Sequence, residues 1–288
     1  MNDQEFPALY QTSNAVSIIA QKTFYRALGT NLTFLALCSA VSFFGSNSST
    51  IALAQAALLL ATLSLTVYLA TSKPQKLWYR GRALAESVKT VTWRYVMRAE
   101  PFNLEDIAAK AHFISSLRKI FQSNEAISSH TYEKNDGAQI TEKMTKIRAL
   151  SLQDRISVYK QSRIDDQLGW YIKKAKFNKN QARLWFGIII TTNIVAVACA
   201  LGKVAFPQLV FWPTDIFAAA AGSLLGWIQS KKFQELGASY SLTAHEIGLL
   251  KELLPNDNLE ESFSTFVGDA ENAFSREHTQ WQARRDKD

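Results

Sequence analysis

The stretch LWFGIIITTNIVAVACAL, residues Leu184–Leu201, decides the fold of this chain because it contains no Asp, Glu, Lys or Arg. An α-helix needs about 20 consecutive, mostly apolar residues to cross the roughly 30 Å hydrocarbon core of a bilayer. Helices buried in soluble proteins are usually shorter and alternate apolar with polar faces. The stretch therefore predicts a transmembrane helix, and the alternative is a soluble bundle with unusually apolar helices.

Three further stretches have the same character. Ala27–Phe44 and Ile51–Ala70 carry no charge. Leu209–Ile228 carries one charge, Asp215, near its start. The connections GSNSST and GKVAFPQ join these stretches in pairs and are too short to hold a domain. We therefore predict an all-α membrane protein with four transmembrane helices in two hairpins and long cytoplasmic helical extensions.

Basic residues indicate the orientation of the hairpins. The third span follows a lysine-rich segment that includes Lys173, Lys174 and Lys176, whereas the short opposite loops offer only Lys203. Lys and Arg are enriched in cytoplasmic loops, so the long segments and both termini are predicted to be cytoplasmic. The predicted order is a cytoplasmic N-terminal segment at 1–26, a transmembrane hairpin at 27–71, cytoplasmic helices at 72–182, a second hairpin at 183–229 and cytoplasmic helices at 230–288.

The sequence offers no pattern for catalysis or metal binding. No pair of histidines has metal-ligand spacing, and there is no nucleophile elbow, phosphate-binding loop or dinucleotide fingerprint. Both cysteines, Cys38 and Cys199, lie inside predicted spans, which argues against a disulfide framework. We expect neither enzyme activity nor a metal or cofactor.

Polar side chains inside the predicted spans are the candidates for lining a pore. Such groups are costly in lipid and usually face the bundle interior or water. The candidates are Asn31, Thr192, Asn193 and Asp215. A ring of Asp215 from several protomers would attract cations at a pore mouth. Alternatively, Asp215 is stabilised by the dipole of a helix N-terminus, and Asn193 holds neighbouring helices together.

The fourth predicted span also carries small residues at a spacing of four. Ala218, Gly222 and Gly226 match the small-xxx-small pattern that lets transmembrane helices approach closely. The pattern predicts a helix-packing face. Its partner is another span of the same chain or a neighbouring protomer.

The helix predicted after the second span mixes basic and aromatic side chains on one side. Basic groups bind phosphates and aromatic rings stack on bases, so this side is a candidate platform for a nucleotide. The candidate ligand-binding residues are Arg82, Lys89, Trp93, Arg94, Arg98, Arg284 and Arg285. Alternatively, Trp78 and Trp93 pack in a cytoplasmic bundle or lie near the lipid headgroups, and much of the net charge of +7 faces anionic lipid.

Three stretches resemble segments of SLATT domains. LWYRGRALAESVKTVTWRYVMRAEPF at 77–102 resembles the helix after a SLATT hairpin. YKQSRIDDQLGWYIKKAKFNKNQARLW at 159–185 resembles the helix that leads into a hairpin, and ENAFSREHTQWQARR at 271–285 resembles the closing helix. The resemblance covers most of the chain as a tandem of two SLATT-type hairpins.

The resemblance implies a membrane effector of a bacterial anti-phage system, located in the inner membrane. It implies an oligomeric pore gated by a nucleotide or short oligonucleotide, which a nucleotidyltransferase-containing signalling system would supply. Four spans in each protomer favour a small ring, for which we predict a tetramer. The alternative is a non-conducting membrane scaffold whose cytoplasmic helices bind a partner protein.

Overall fold

The computed structural model describes residues 1–44, 48–124, 137–209, 211–255 and 257–285, with side chains as far as Ser275. In these ranges the chain forms helices and no β-strand. The α-helices are α1 (Ala8–Phe44), α2 (Ser49–Ser72), α3 (Pro74–Val96), α4 (Asp106–Gln122), α5 (Glu142–Arg148), α6 (Leu152–Tyr159), α7 (Asp166–Ala205), α8 (Thr214–Lys231), α9 (Phe233–Glu252) and α10 (Glu260–Arg285). A 3-10 turn, Asp3–Glu5, precedes α1, and a π-helical segment, Lys160–Asp165, connects α6 to α7.

The predicted all-α class is confirmed, and the described residues contain three helical stretches that are long and apolar enough to cross a membrane. These stretches are Ala8–Phe44, Ser49–Val96 and Leu152–Ala205. Helix α8, which has 18 residues and includes Asp215 and Lys231, is not among them. The fourth predicted span therefore stays a prediction.

Two of the apolar stretches continue helices that begin well before the predicted membrane boundary. Helix α1 begins at Ala8, directly after Pro7, and contains the predicted boundary at residue 27. Helix α7 runs from Asp166 through the boundary at residue 183 to Ala205. These two predicted boundaries therefore mark changes of composition within continuous helices rather than changes of backbone structure.

The helices pack into two units that interleave along the chain. The first comprises Met1–Gln21, Pro74–Ile172 and Leu242–Asp288, and we call it the extension unit. The second comprises Lys22–Lys73 and Lys173–Ser241, and we call it the hairpin unit. The hairpin unit holds the four stretches that the sequence predicts to cross the membrane.

The core of the extension unit is built around α3, which packs against α4 and α10. Leu84 and Val88 of α3 are fully buried, as the apolar stripe of this helix predicts. The first turns of α1 approach α3 at Gly81, where an added Cβ would lie 3.1 Å from the backbone nitrogen of Ser17. A glycine at this position allows the two backbones to come this close.

Candidate functional site

Asn31 joins the two helices of the first hairpin. Its Nδ2 donates a hydrogen bond of 3.1 Å to Oγ1 of Thr66, which in turn donates to the carbonyl oxygen of Thr62. The bond links α1 to α2 within the hairpin unit. This contact fits an interhelical role for Asn31, which the sequence had placed among the pore-lining candidates.

Thr191, Thr192 and Asn193, which we call the polar cluster of α7, lie on the surface of the hairpin unit. Oγ1 of Thr192 donates to the carbonyl oxygen of Ile188 at 2.8 Å, and Nδ2 of Asn193 donates to that of Ile189 at 2.8 Å. Thr191 and Asn193 are exposed, and Thr192 is half-buried. Polar side chains thus lie on the surface of the hairpin unit in the middle of the uncharged stretch of α7.

A shallow groove of about 560 Å³ runs along the same part of α7 and is closed on one side by α8. Its lining residues are Arg183, Leu184, Gly187, Ile188, Thr191, Thr192, Val195 and Phe217. The groove combines apolar walls with the two threonines of the polar cluster. Arg183, the residue directly before the uncharged stretch, lies at one end of the groove.

Helix α8 begins with an acidic turn. Asp215 is exposed and lies in the first turn of α8, where the helix dipole stabilises a carboxylate. This position is compatible with the predicted pore mouth and equally with the simpler explanation by the dipole. The pore role of Asp215 stays a prediction.

The small residues of α8 lie in different environments. A Cβ added to Gly226 would lie 3.4 Å from Cδ2 of Leu32, so this glycine faces α1 of the same chain. Ala218 and Gly222 are exposed, and a Cβ added to Gly222 would meet nothing within 4 Å. Close packing inside the protomer therefore uses Gly226, while Ala218 and Gly222 stay accessible on the protomer surface.

Aromatic side chains cluster at one end of the hairpin unit. The ring centroid of Trp227 lies 5.9 Å from that of Tyr25 and 6.2 Å from that of Trp185. The ammonium group of Lys231 lies 3.4 Å from the Tyr25 centroid and 4.6 Å from the Trp227 centroid. Rings and a lysine in this arrangement are typical of a membrane–water interface.

Trp93 is buried in the extension unit, with an exposed fraction of 1%. Its ring contacts those of Phe6 and Tyr159 at centroid distances of 6.3 and 5.8 Å. No face of the ring is open to stack on a base in this packing. This packing fits the alternative interpretation of Trp93 as a tryptophan packed in a helical bundle.

The other candidates on α3 are held by protein groups. Arg82 forms an ion pair of 2.6 Å with Glu86, one turn later on the same helix. The ammonium group of Lys89 lies 5.9 Å from the ring centroid of Phe6. Burial lowers the pKa of Lys89, and the Glu86 carboxylate opposes that effect. Both cations thus contact protein groups, while 39% of the Arg82 side chain stays exposed.

Arg94 and Arg98 tie α3 to other elements. Nη2 of Arg94 donates to the carbonyl oxygen of Gly268 at 2.9 Å and to Oδ1 of Asn272 at 2.7 Å, and both acceptors belong to α10. Nε of Arg98 donates to the carbonyl oxygen of Arg148 at 3.0 Å. The side chains of the two remaining candidates, Arg284 and Arg285 at the end of α10, lie outside the described residues.

The structure also shows three buried arginines that the sequence did not single out. They are Arg148, Arg155 and Arg163, at spacings of seven and eight residues, and each is at most 3% exposed. Arg155 pairs with Glu260 of α10 and donates to the carbonyl oxygen of Met97 at 2.7 Å. In one continuous α-helix these spacings would bring the three towards one side, and that regularity is the only sequence signal that could have indicated them. In the structure they belong to α5, α6 and the π-helical segment.

Arg148 organises the chain where α3 ends. Its guanidinium donates to the carbonyl oxygens of Tyr95, Phe102 and Leu104, at distances from 2.6 to 3.1 Å, and its Nε donates to Asp106 at 2.9 Å. Burial lowers the pKa of Arg148, and the hydrogen bond to Asp106 opposes this effect. One side chain thus binds three carbonyl groups at the end of α3 and in the connection to α4.

Arg163 and Glu271 form a fully buried ion pair. Nε and Nη2 of Arg163 donate to the two carboxylate oxygens of Glu271 at 2.8 and 2.6 Å. The hydroxyl of Tyr159 donates to the same carboxylate at 2.9 Å. Burial alone would lower the pKa of Arg163, but the Glu271 carboxylate outweighs it and the pKa is raised. The guanidinium of Arg163 is therefore charged at neutral pH.

A cleft of about 490 Å³ opens in the extension unit beside the start of α10. Its lining residues are Arg98, Glu100, Asn103, Leu104, Glu260, Glu261, Ser264 and Thr265. Three carboxylates face one guanidinium here, so the charge does not favour a phosphate group. Elsewhere, no group of three or more His, Cys, Asp or Glu residues in the described ranges is arranged to hold a metal ion.

Two family models match the chain one after the other. SMODS and SLOG-associating 2TM effector domain 3 matches residues 7–156, and SMODS and SLOG-associating 2TM effector domain 1 matches residues 159–281. Neither a curated protein nor a solved structure matches the chain. Each matched range contains one hairpin with its helical extensions, so the two ranges divide the chain into halves, whereas the packing divides it into interleaved units.

Proposed function

The chain belongs to the SLATT family of two-span effector domains, and from this premise we propose that it forms an oligomeric pore in the bacterial inner membrane. It acts as an effector of anti-phage defence, and a nucleotide or short oligonucleotide signal on its cytoplasmic helices gates it. The association of the family with SMODS and SLOG proteins supports such a signal. The observation that carries the pore is the polar surface of α7.

Asn193 lies near the middle of the uncharged stretch, nine residues after Leu184, or about 14 Å along a helix. Its hydrogen bond to its own helix uses an N–H and leaves the side-chain oxygen to accept from another group. Hydrocarbon offers no donor, and polar groups at this depth face protein or water. An exposed Asn193 is thus explained by the water of a pore or by a neighbouring protomer.

We also propose that α8 is the fourth span. In each half of the chain the second helix of the hairpin ends at a lysine in the left-handed conformation, Lys73 with φ 42° and Lys232 with φ 50°. The 18 residues of α8 rise about 27 Å, close to the thickness of the hydrocarbon core. Helix α8 is therefore the second helix of the second hairpin, as α2 is of the first hairpin.

In our proposal, the end of the hairpin unit that carries the aromatic cluster faces the cytoplasm. The cluster of Tyr25, Trp185 and Trp227 is flanked along the chain by Lys22, Arg26, Arg183, Lys231 and Lys232. Basic residues next to an aromatic interface favour the cytoplasmic side. This orientation places the extension unit and both ends of the chain in the cytoplasm.

Flux from liposomes tests the pore. Purified protein is reconstituted, and ion and dye flux are recorded with and without a panel of cyclic nucleotides and short oligonucleotides. We expect one ligand to change the flux, and we expect Asn193→Leu to change it at least several-fold. Ile194→Leu is the matched control, because Ile194 is a neighbouring, 63% exposed residue of the same helix.

The oligomer is measured on the same samples by native mass, for which we expect four protomers. A variant that loses flux and keeps this mass has an altered pore, whereas one that loses both has lost its assembly. Folded and inserted protein that shows no flux under any condition would overturn the pore and favour the non-conducting scaffold.

A further inference from the structure

The π-helical segment Lys160–Asp165 interrupts an otherwise α-helical stretch from Leu152 to Ala205. Such segments are rare, occur as short insertions in α-helices and are frequent at functional sites. In an α-helix Ile164 would lie about 140° around the axis from Tyr159, because each residue turns about 100°. Yet both side chains are fully buried, and so is Arg163. The wider turn allows all three to face the core.

The carboxylate of Glu271 forms hydrogen bonds with two side chains of this widened turn. Glu271 of α10 accepts from Tyr159, the residue before the segment, and from Arg163 within it, at distances from 2.6 to 2.9 Å. The guanidinium carbon of Arg163 also lies 4.5 Å from the ring centroid of Phe274, one turn later on α10. The π segment therefore depends on where α10 lies.

One buried hydrogen-bond donor of this arrangement has no acceptor in the part of the chain that the structure describes. Nη1 of Arg163 is buried and has no hydrogen-bond partner among the described residues. A buried donor without a partner costs free energy, which reduces the advantage of this arrangement over others. The hydrogen bonds to Glu271 thus stabilise the π-helical segment, and the buried Nη1 of Arg163 destabilises it.

We propose that Glu271 is a latch that keeps Lys160–Asp165 in the π form, and that withdrawal of α10 lets the segment rewind as an α-helix. Rewinding turns the helix after Asp165 by about 100° relative to the helix before Lys160. Because α7 is unbroken from Asp166 to Ala205, this rotation passes along one helix towards the polar cluster at residues 191–193. The latch rests on contacts in the extension unit, and only its use in gating rests on the proposed function.

Arg94 connects the latch to an anionic signal. It donates to Gly268 and Asn272 of α10, on either side of Glu271. Both acceptors are neutral, and a phosphate is a stronger acceptor for a guanidinium than a carbonyl group. A phosphate bound to Arg94 would replace these two bonds and release the part of α10 that carries the latch.

The test uses the full chain in detergent, with Cys38 and Cys199 replaced by alanine and single cysteines at positions 170, 171 and 172. In the π form Tyr171 is 3% and Ile172 is 53% exposed, so a polar thiol reagent labels Ile172→Cys fast and Tyr171→Cys slowly. Rewinding places residue 171 where residue 172 was and residue 170 where residue 171 was. Adding Glu271→Gln is expected to raise labelling at 171 at least tenfold and to lower it at 170.

Three variants complete the experiment. Glu260→Gln changes another carboxylate of α10 that pairs with Arg155, and it should leave the labelling pattern unchanged. Tyr159→Phe removes one bond to Glu271 without leaving a buried charge, so it should shift the pattern partly if Glu271→Gln fails to fold. Deleting the exposed Gln161 shortens the segment to α-helical length, so it should keep the original pattern and make it insensitive to Glu271→Gln.

A uniform rise at 170, 171 and 172 would indicate local unfolding and overturn the latch. An unchanged pattern in the folded Glu271→Gln protein would do the same. Because labelling is measured without conductance, a latch that works in a protein with no flux would separate the failure of the proposed pore from the failure of this inference.

Discussion

Leu60 and Ile194 of the hairpin unit are 64% and 63% exposed, whereas Arg163 and Glu271 of the extension unit are 2% and 0% exposed. The uncharged helices of the hairpin unit expose apolar side chains, and the extension unit encloses a charged pair. Water drives apolar burial in the extension unit, where a charge can be enclosed only with a partner. In our proposal lipid replaces water around the hairpin unit, so exposed apolar groups there cost nothing and helices associate through close packing and hydrogen bonds. The same type of substitution should therefore act differently in the two units.

The largest effect is expected from breaking the buried pair. Arg163→Ala leaves the Glu271 carboxylate without its charge partner in the core. Removal of one member of a buried pair costs about 3–5 kcal/mol, so we expect a loss of that order in the free energy of unfolding. The measurement is denaturant unfolding in detergent, followed by the fluorescence of tryptophans such as the buried Trp93.

Two further variants show whether the charge itself is responsible. The double variant Arg163→Met and Glu271→Leu removes both charges and keeps apolar volume, so it should recover much of the lost stability. Lys146→Ala breaks the exposed pair with Glu142 and should leave the unfolding free energy unchanged within error. If Lys146→Ala proved as costly as Arg163→Ala, burial would not be what distinguishes the two pairs.

The second effect concerns exposed apolar residues and separates lipid from water. Leu60 lies at the centre of α2 in the hairpin unit, and Ile107 is an 88% exposed residue of α4 in the extension unit. An arginine at the centre of a transmembrane helix costs about 2.5–3.5 kcal/mol of insertion free energy. Leu60→Arg should therefore lower the inserted fraction in a membrane-insertion assay, while Ile107→Arg should not. Equal effects would mean that α2 is not surrounded by lipid.

The contrast between the units also explains what the sequence could predict. A span is a local property, so the uncharged run at Leu184–Leu201 identified it without any knowledge of packing. The pair of Arg163 and Glu271 joins residues 108 positions apart, and composition carries no signal for such a contact. Each residue read alone is an ordinary surface charge on a polar helix.

The ligand platform on α3 shows the same limit. Leu84 and Val88 belong to the apolar stripe of this helix and are buried. Helix periodicity assumes one buried face, but α3 is also covered on the side of Trp93 by Phe6 from the N-terminal segment and by Tyr159. At Trp93 this side is therefore enclosed by elements from distant parts of the chain.

The third effect compares two glycines, one in each unit. An alanine at position 81 would bring its Cβ within 3.1 to 3.2 Å of backbone atoms of Ser13 and Ser17, which cannot move aside as a side chain can. Overpacking of this kind costs about 1–3 kcal/mol, and we expect Gly81→Ala to destabilise the extension unit by that amount. The readout is the denaturant midpoint.

Gly222 is the matched position in the hairpin unit, because an added Cβ there meets nothing within 4 Å. Gly222→Ala should leave the stability of the protomer unchanged or raise it, since alanine favours helix more than glycine does. A loss of native mass in that variant, with the protomer still folded, would show that the exposed part of the small-residue stripe contacts another protomer.

The smallest effect tests a polar contact inside the hairpin unit. A double-mutant cycle with Asn31→Leu and Thr66→Val isolates the bond of 3.1 Å between α1 and α2. Interhelical hydrogen bonds in membranes contribute on average about 0.6 kcal/mol, because the separated helices find other partners. We expect a coupling of that order in unfolding from mixed micelles. A coupling as large as that of the Arg163–Glu271 pair would mean that Asn31 is held away from competing donors and acceptors, and the hairpin unit would then resemble the extension unit in how it stabilises polar groups.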